Sequence, residues 1–484
     1  MVDSSKAKLF PLIMLNITAV VSLSSIAYMA TMGMKSFFYY IFAAIFFLIP
    51  SALVCAELSG MMTNSNGGVF EWVRAAFGDT FGSIAIWMEW FNNVISFPVN
   101  ISSLVASVVY LAFGNRLLGS NTLVILILLI FWLVTFFNFL PLKKVLYLNI
   151  IGALCGMILP GSLLICGAIY FILHHDSNIS INSYHNFIPG LSLASYAILV
   201  KTLSGYSGMQ SVAFHMKNIS NPQKNIPIAI LISVVVILSL TILSTGALVV
   251  IIPSGSINVL DGLVQAISLF LDSIGLHMLK PLIVILIAIG MLSALSTYIL
   301  GPAKGMQAAA EKKVFPKIFA KKNKNGMPVN TLLIQLVIGM LITLFFLEMP
   351  TIYSAYALLI ALTSQFTVLM WVMVFMSVIR LRYKMPNLYR PFYIGSRKKS
   401  GNLFLIIIVS LAIVSCILGF IAGMFPPSFS KVTNISWYIM LVISVDIVII
   451  LIPIIWISVF KKAILKESIN FFDRKINTFR LFRR

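Results

Sequence analysis

Acidic side chains are scarce in this chain: 13 Asp and Glu stand against 34 Lys and Arg among 484 residues. Charged residues of both signs reach only 10%, whereas soluble domains carry about 25%. That deficit excludes an ordinary soluble fold. With 60% hydrophobic residues and a mean hydropathy of +1.03, it leaves a polytopic membrane protein. Cysteine is scarce too. Cys55, Cys155, Cys166 and Cys416 fall in or beside apolar stretches and none forms a C-x-x-C pair, so buried apolar roles are expected rather than a metal site or a disulfide framework. No Walker pattern, metal-spaced His/Cys set or nucleophile elbow is found. "GGVF" at Gly67–Phe70 lacks the Gly-Lys-Ser/Thr ending and the preceding strand of a phosphate loop. Enzyme chemistry and cofactors therefore have no candidate site, and any work done would draw on gradients. Ahead of the first apolar run there is no small-residue cleavage site, so no cleavable signal is expected.

What the chain does have is long apolar runs. A hydrocarbon core takes about 20 residues per helix, and twelve spans are predicted on that measure. The first seven are Leu9–Thr31, Ser36–Gly60, Ser83–Phe113, Thr122–Leu140, Leu146–Leu173, Leu191–Met216 and Ile226–Ile252. Leu276–Ala309, Val329–Phe346, Thr351–Ile379, Leu403–Met424 and Ile435–Phe460 complete the set. Asn258–Ser273 is too short and mixed to cross and reads as an amphipathic surface helix.

The net charge of +21 would suit nucleic acid, but its placement argues for topology instead. With both termini inside, 29 of the 34 Lys and Arg fall on the cytoplasmic side. Lys35, Arg116, Lys280 and Lys431 remain outside, and Lys201 lies within a span. No nucleic-acid partner is expected. The tail from Lys461 alternates Phe, Ile and Leu with bases, which suits a helix resting on anionic lipid and equally a frayed, solvated end.

Two spans carry soft points at mid-depth. "TAVVSLSSIAYMATMG" places Ser22, Ser24 and Ser25 inside span one, and "TLSGYSGMQ" places Gly205 and Gly208 around Tyr206 and Ser207 inside span six. Glycine costs about 1 kcal/mol against alanine in a helix interior, and backbone groups in hydrocarbon must be paired. Small residues also permit close packing. Interruptions in corresponding positions of two halves, however, point to a transporter binding site. Spans one to five and six to ten would be inverted repeats, because five is odd and the second copy enters from the other face. Helix ends freed there offer N–H groups to a carboxylate and carbonyls to an ammonium, which together recognise an α-amino-acid zwitterion.

Four stretches carry a family resemblance. They are "AELSGMMTNSNGGVFEWVRAAFG" (Ala56–Gly78), "GYSGMQSVAFHMKNISNPQKNIPIAI" (Gly205–Ile230), "GPAKGMQAAAEKKVFPKIFAKKNKNGMPV" (Gly301–Val329) and "YRPFYIG" (Tyr389–Gly395). On these the chain resembles the amino acid–polyamine–organocation (APC) superfamily, most of all the bacterial glutamate:γ-aminobutyrate antiporter group. The resemblance implies an all-α LeuT-type 5+5 inverted repeat with two extra C-terminal helices. The units would be a cytoplasmic N-terminus (1–8), a first repeat (9–190), a second repeat (191–400), helices eleven and twelve (401–460) and a basic cytoplasmic tail (461–484). It implies exchange of amino acids, or proton-coupled uptake, across the bacterial inner membrane. Three positions depart from the pattern: Gln210 replaces a frequent Glu, Ala294 an acid of the glutamate antiporters, and Lys201 a small or aromatic residue.

The expected substrate is an amino acid held by Ser22, Ser24, Ser25, Ile26, Ser204, Gly205 and Gly208. Gln210, Tyr206 and Tyr298 would shape selection or occlusion. An intramembrane Lys is expensive and functional by default. Lys201 would pair the distal carboxylate of an acidic substrate, or else snorkel to the outer interface. Glu89 would pair with a loop base or titrate during transport, and Glu57 with Arg74 would form an inner gating ion pair or serve topology alone. His215 would face the inner pathway, His174 and His175 an outside loop. Pro98 would kink span three, and Asp446 would make a packing or oligomer contact. An amine or polyamine carrier needs pocket carboxylates, of which none is expected, and a non-transporting sensor needs an appended signalling domain.

The charge asymmetry is directly checkable. A lone cysteine introduced at Lys321 should react with a membrane-impermeant maleimide only in inside-out vesicles, and one at Lys280 only in right-side-out vesicles. The reverse pattern would overturn the assigned orientation.

Overall fold

Apolar runs with few helix breakers become helices, and among the described residues the only extended pairing is one isolated parallel bridge, Ala7 to Ile219. The computed structural model describes residues 7–63, 65–113, 119–174, 187–190, 193–252, 256–348, 352–397, 399–426 and 434–481. Lys6, Arg116, His175 and Lys431 lie outside these residues. So do the side chains of the basic tail, whose lipid reading falls with them.

The first span is two helices, α1 (Leu9–Val20) and α2 (Leu23–Ala30), bent by 43° at their junction. Next come α3 (Lys35–Met61), the short loop helix α4 (Val69–Phe77), α5 (Asp79–Phe113), α6 (Ser120–Phe137) and α7 (Leu142–His174). The sixth span is also divided, into α8 (Leu193–Gly205) and a 3₁₀ segment over Met209–Asn218. The remainder is α9 (Pro222–Ile251), α10 (Gly262–Ser273), α11 (Lys280–Glu311), α12 (Val329–Glu348), α13 (Ile352–Lys384), α14 (Lys399–Gly423) and α15 (Ile435–Leu481). Eight of the described helices are long and apolar enough to cross a membrane, and the bent α1–α2 pair makes nine. The α8–3₁₀ pair, α6 and α12 are the other expected crossings; they are shorter or interrupted, and twelve spans remain compatible with this architecture. Pro98 lies inside α5, which continues through it as one helix.

Burial sorts the helices. In α13, 89% of the most apolar window is buried, against 33% in α14 and 22% in α15. The last two helices therefore form the apolar exterior, where Ile407, Leu411, Val414, Leu418, Ile447 and Ile455 are exposed as a lipid-facing surface requires. Within the bundle α5 packs on α13 and α11, and α9 packs on α1, α3 and α7. Helices α7 and α11 approach backbone to backbone at Gly156 and Gly290, where a Cβ on either would collide with the other chain segment. Helix α10 buries Leu263, Val264, Ile267, Phe270 and Leu271 and exposes Leu269 and Asp272, the amphipathic surface helix expected of this stretch. Cys55 and Cys416 are buried as expected; Cys166 is instead exposed on α7.

The expected ion pair between Glu57 and Arg74 does not form. Arg74 bonds Asp79 at 2.7 Å, because α4 ends at Gly78 and brings the two together locally. Glu57, fully buried at the end of α3, takes partners from far along the chain. The Arg382 guanidinium donates to both its oxygens (Nε to Oε1 2.9 Å, Nη2 to Oε2 2.6 Å), and the Ile394 N–H adds a third bond at 2.9 Å. Arg390 Nε lies 3.4 Å from Oε1 as an ion contact. Burial pushes the Arg390 guanidinium down from its ordinary value, and the Glu57 charge opposes that shift. This cluster pins the "YRPFYIG" loop to α3 and α13. Removing one partner from a buried pair costs about 3–5 kcal/mol, so Glu57→Gln should lower the thermal midpoint of the detergent-solubilised protein well below that of the parent. An unchanged midpoint would show that the cluster does not hold this end together.

Candidate functional site

The two interruptions meet. At the first, Val21 and Ser22 adopt extended backbone between α1 and α2. Ser22 then caps α2, its Oγ accepting from the Ser25 N–H at 3.3 Å and sharing a 2.9 Å bond with the Ser24 hydroxyl. Ser24 in turn reaches Asn100 of α5 at 3.4 Å. Ser25 Oγ is buried with no partner.

At the second, α8 ends with Tyr206 and Ser207 donating back to the Leu203 and Ser204 carbonyls. Gly208 follows at φ +138°, a conformation side chains rarely adopt. Space demands glycine as well: a Cβ here would fall on the carbonyl of Ala19 in α1. The two broken spans thus meet here as a glycine against a backbone carbonyl.

Gln210 organises the second break from below. Its Oε1 accepts from the Gly208 N–H at 2.9 Å, and its Nε2 donates to Ser207 Oγ at 3.2 Å and to Glu89 Oε1 at 2.9 Å. Trp371 of α13 donates to the same Ser207 hydroxyl at 2.8 Å. Glu89 is buried, and among the described residues its Oε2 has no hydrogen-bond partner.

Between the breaks lies a polar cavity of about 80 Å³. Ser22, Ser25, Lys201, Ser204, Gly205, Gly208, Gln210 and Tyr298, all expected at the site, line it. Ser24 lines an adjoining recess with Asn100 and Tyr298. Ile26 and Tyr206 line another beside Lys201, where the Tyr206 hydroxyl bonds Thr241 at 3.1 Å and its ring packs on Tyr40. Lys201 reaches both the main cavity and a small recess near Tyr28 and Phe425, and no carboxylate among the described residues pairs with it.

Two expectations need correction. Glu89 does not pair with a loop base, because its face of α5 turns into the cavity; the site therefore holds an acid where none was expected. His215 does not line the cavity: it is buried, with Nδ1 3.1 Å from the Lys304 ammonium of α11. Ala294 lines the adjoining recess. Sequence reasoning also missed a wall of the site. Asn92, Asn93, Ser96 and Asn100 line it from α5, at spacings that share one helix face, and Thr363 and Thr367 line it from α13. A run of polar residues at i, i+4 and i+8 in an apolar span was the available signal.

Comparison with known proteins places this geometry. A family model described as amino acid permease matches residues 8–445. An uncharacterised transporter of Legionella pneumophila is 36% identical over 430 residues, covering 88% of this chain and 91% of that protein. A glutamate/γ-aminobutyrate antiporter of Lactococcus lactis is 26% identical, covering 91% and 88%. The crystal structure of MhsT in complex with L-phenylalanine superposes with a TM-score of 0.58 at 14% identity, covering 87% of this chain and 99% of that one, and so shares the LeuT-type fold.

Gly208 offers a direct test of the crossing. Forcing a side chain into this backbone conformation costs about 1–3 kcal/mol in strain alone, and the Ala19 carbonyl blocks relaxation. Gly208→Ala should therefore abolish ligand binding while the purified protein stays monodisperse. Binding retained at parental affinity would show that the contact is not needed.

Proposed function

The chain belongs to the amino acid permease family, and on that premise we propose that it exchanges amino acids across the bacterial inner membrane by alternating access. It is a transporter rather than an enzyme, and an integral membrane protein. The observation that carries the finer reading is the polar cavity formed where two interrupted spans touch.

The chemistry follows from the helix ends. The N-terminus of α2 offers positive dipole and N–H groups, and the unpartnered Ser25 hydroxyl is free to donate to a carboxylate. Across the cavity, the C-terminal turn of α8 presents carbonyls around Ser204 and Gly205 to an ammonium. Lys201, without a protein counter-ion, receives a distal carboxylate, which favours an acidic amino acid as one exchanged species. Driving force comes from the gradients of the exchanged molecules. Glu89 favours a second reading, in which a molecule with an extra cationic group is also carried.

A radiolabelled counterflow panel in proteoliposomes tests the proposal. L-Glutamate should accumulate against internal unlabelled amino acid and not in empty vesicles. Loss of a hydrogen bond to a charged group costs about 1.5–3 kcal/mol, roughly tenfold or more in affinity. Lys201→Ala should therefore weaken L-glutamate by that factor and leave L-glutamine nearly unchanged. Unaltered competition by L-glutamate would discard the role of Lys201; counterflow by amines alone would favour the second reading.

A further inference from the structure

Glu89 is unlike the other acids of the bundle. Glu57 is saturated by two guanidinium groups and a backbone N–H, and Asp446, also buried and unpaired, does not line the cavity. Glu89 alone lies in the cavity with one oxygen satisfied and the other free. Its satisfied oxygen accepts from Gln210, a neutral amide, which cannot balance a negative charge. A buried carboxylate with no cation beside it either takes up a proton or waits for a cation.

Among the described residues no cation pairs with it. Helix α3 brings Cys55 and α11 brings Tyr298 within electrostatic reach, and both are neutral groups. Helix α8 contributes Lys201 to the same cavity, with no hydrogen bond or ion pair to Glu89. Helix α13 contributes Thr363 and Thr367, and α5 itself Asn92 and Asn93, none of which titrates. Asn93 spends its amide N–H on the Glu89 carbonyl at 2.7 Å rather than on the carboxylate. Gln210 therefore fixes Glu89 in place while leaving its charge undetermined.

We propose that Glu89 is an exchange seat within the transport cavity, whose free Oε2 holds either a proton or an ammonium group of the carried molecule. This rests on the cavity being the transport site. In the empty cavity the Oε2–H bond is intact and the site carries no net negative charge. When a cationic group enters, that bond breaks, the proton leaves through the cavity to bulk water, and an N–H···Oε2 bond forms. One proton leaves for each ammonium seated, so charge and protons balance. The coupling lies in the break itself, since Gln210 ties Glu89 to Gly208 and Ser207: whatever moves the second break moves the seat.

Infrared difference spectroscopy on the purified protein in lipid tests this with methylammonium as probe. The expected result is a protonated-carboxyl band at neutral pH, absent from Glu89→Gln, that vanishes as methylammonium is added while a pH-sensitive dye reports proton release. Subtracting the variant removes the contribution of Asp446. Should Glu89→Gln fail to fold, Glu89→Asp should shift the same band, which identifies it. No such band in the parent, or a band that methylammonium leaves untouched, overturns the proposal. Counterflow measured on the same preparation separates the two readings: exchange without the band sinks the seat alone, and the band without exchange sinks the transport role.

Discussion

The structure turns on one contact, the backbone of Gly208 against the carbonyl of Ala19. Two helices cannot both stop in hydrocarbon unless each supplies what the other lacks, because no water is there to satisfy their ends. Here the stops are adjacent, so the peptide groups they free converge on one small volume. Side chains finish the satisfaction. Ser22 closes the first turn of α2, and Gln210 closes the Gly208 N–H. What remains unsatisfied is what a ligand can use.

That remainder is small and specific. Among the buried polar atoms without partners, Ser25 Oγ and Glu89 Oε2 belong to residues that line the cavity. Leaving a buried polar group unpaired costs about 1–3 kcal/mol, more when charged, so a ligand that pairs these two atoms recovers that cost. The asparagine and threonine wall from α5 and α13 carries no such deficit of charge. It makes the cavity polar without choosing a sign, and the charged groups that line it are Lys201 and Glu89.

The breaks were legible because they offend a strong rule: glycines and serines at mid-depth in apolar helices stand out against about 20 residues of uniform hydrocarbon. The convergence of Ser22, Ser25, Ser204 and Gly208 followed from their place in a repeated architecture. The partners of the acids were not legible. Glu57 is 325 positions from Arg382, and nothing local in either segment names the other, so the nearer Arg74 was the natural choice. Glu89 was misread for a related reason. A single acid in an amphipathic-looking stretch of α5 does not announce whether its face meets a loop or a cavity, and only the rotation of the helix against α11 and α13 decides.

The same magnitudes separate what must hold from what can part. The Glu57 cluster binds α3, α13 and the segment after it with charge-assisted bonds in a buried setting, and breaking such a pair costs about 3–5 kcal/mol. The second break is fastened differently. Phe214 of the 3₁₀ segment rests in a socket that Gly68, Gly301 and Gly305 leave open, where any side chain would meet its ring. Below it, the Ala7 N–H donates to the Asn218 carbonyl and the Ser220 N–H donates to the Ala7 carbonyl, tying the entry of α1 to the exit of the 3₁₀ segment. The ring contact is apolar and non-directional, so it can slide without stranding a charge. The two broken spans are joined to each other by hydrogen bonds. The 3₁₀ segment adds to its packing on α4 and α11 a contact of His215 Nδ1 with the Lys304 ammonium and a Gln210 bond to Glu89, so displacing it breaks directional bonds as well as apolar contacts.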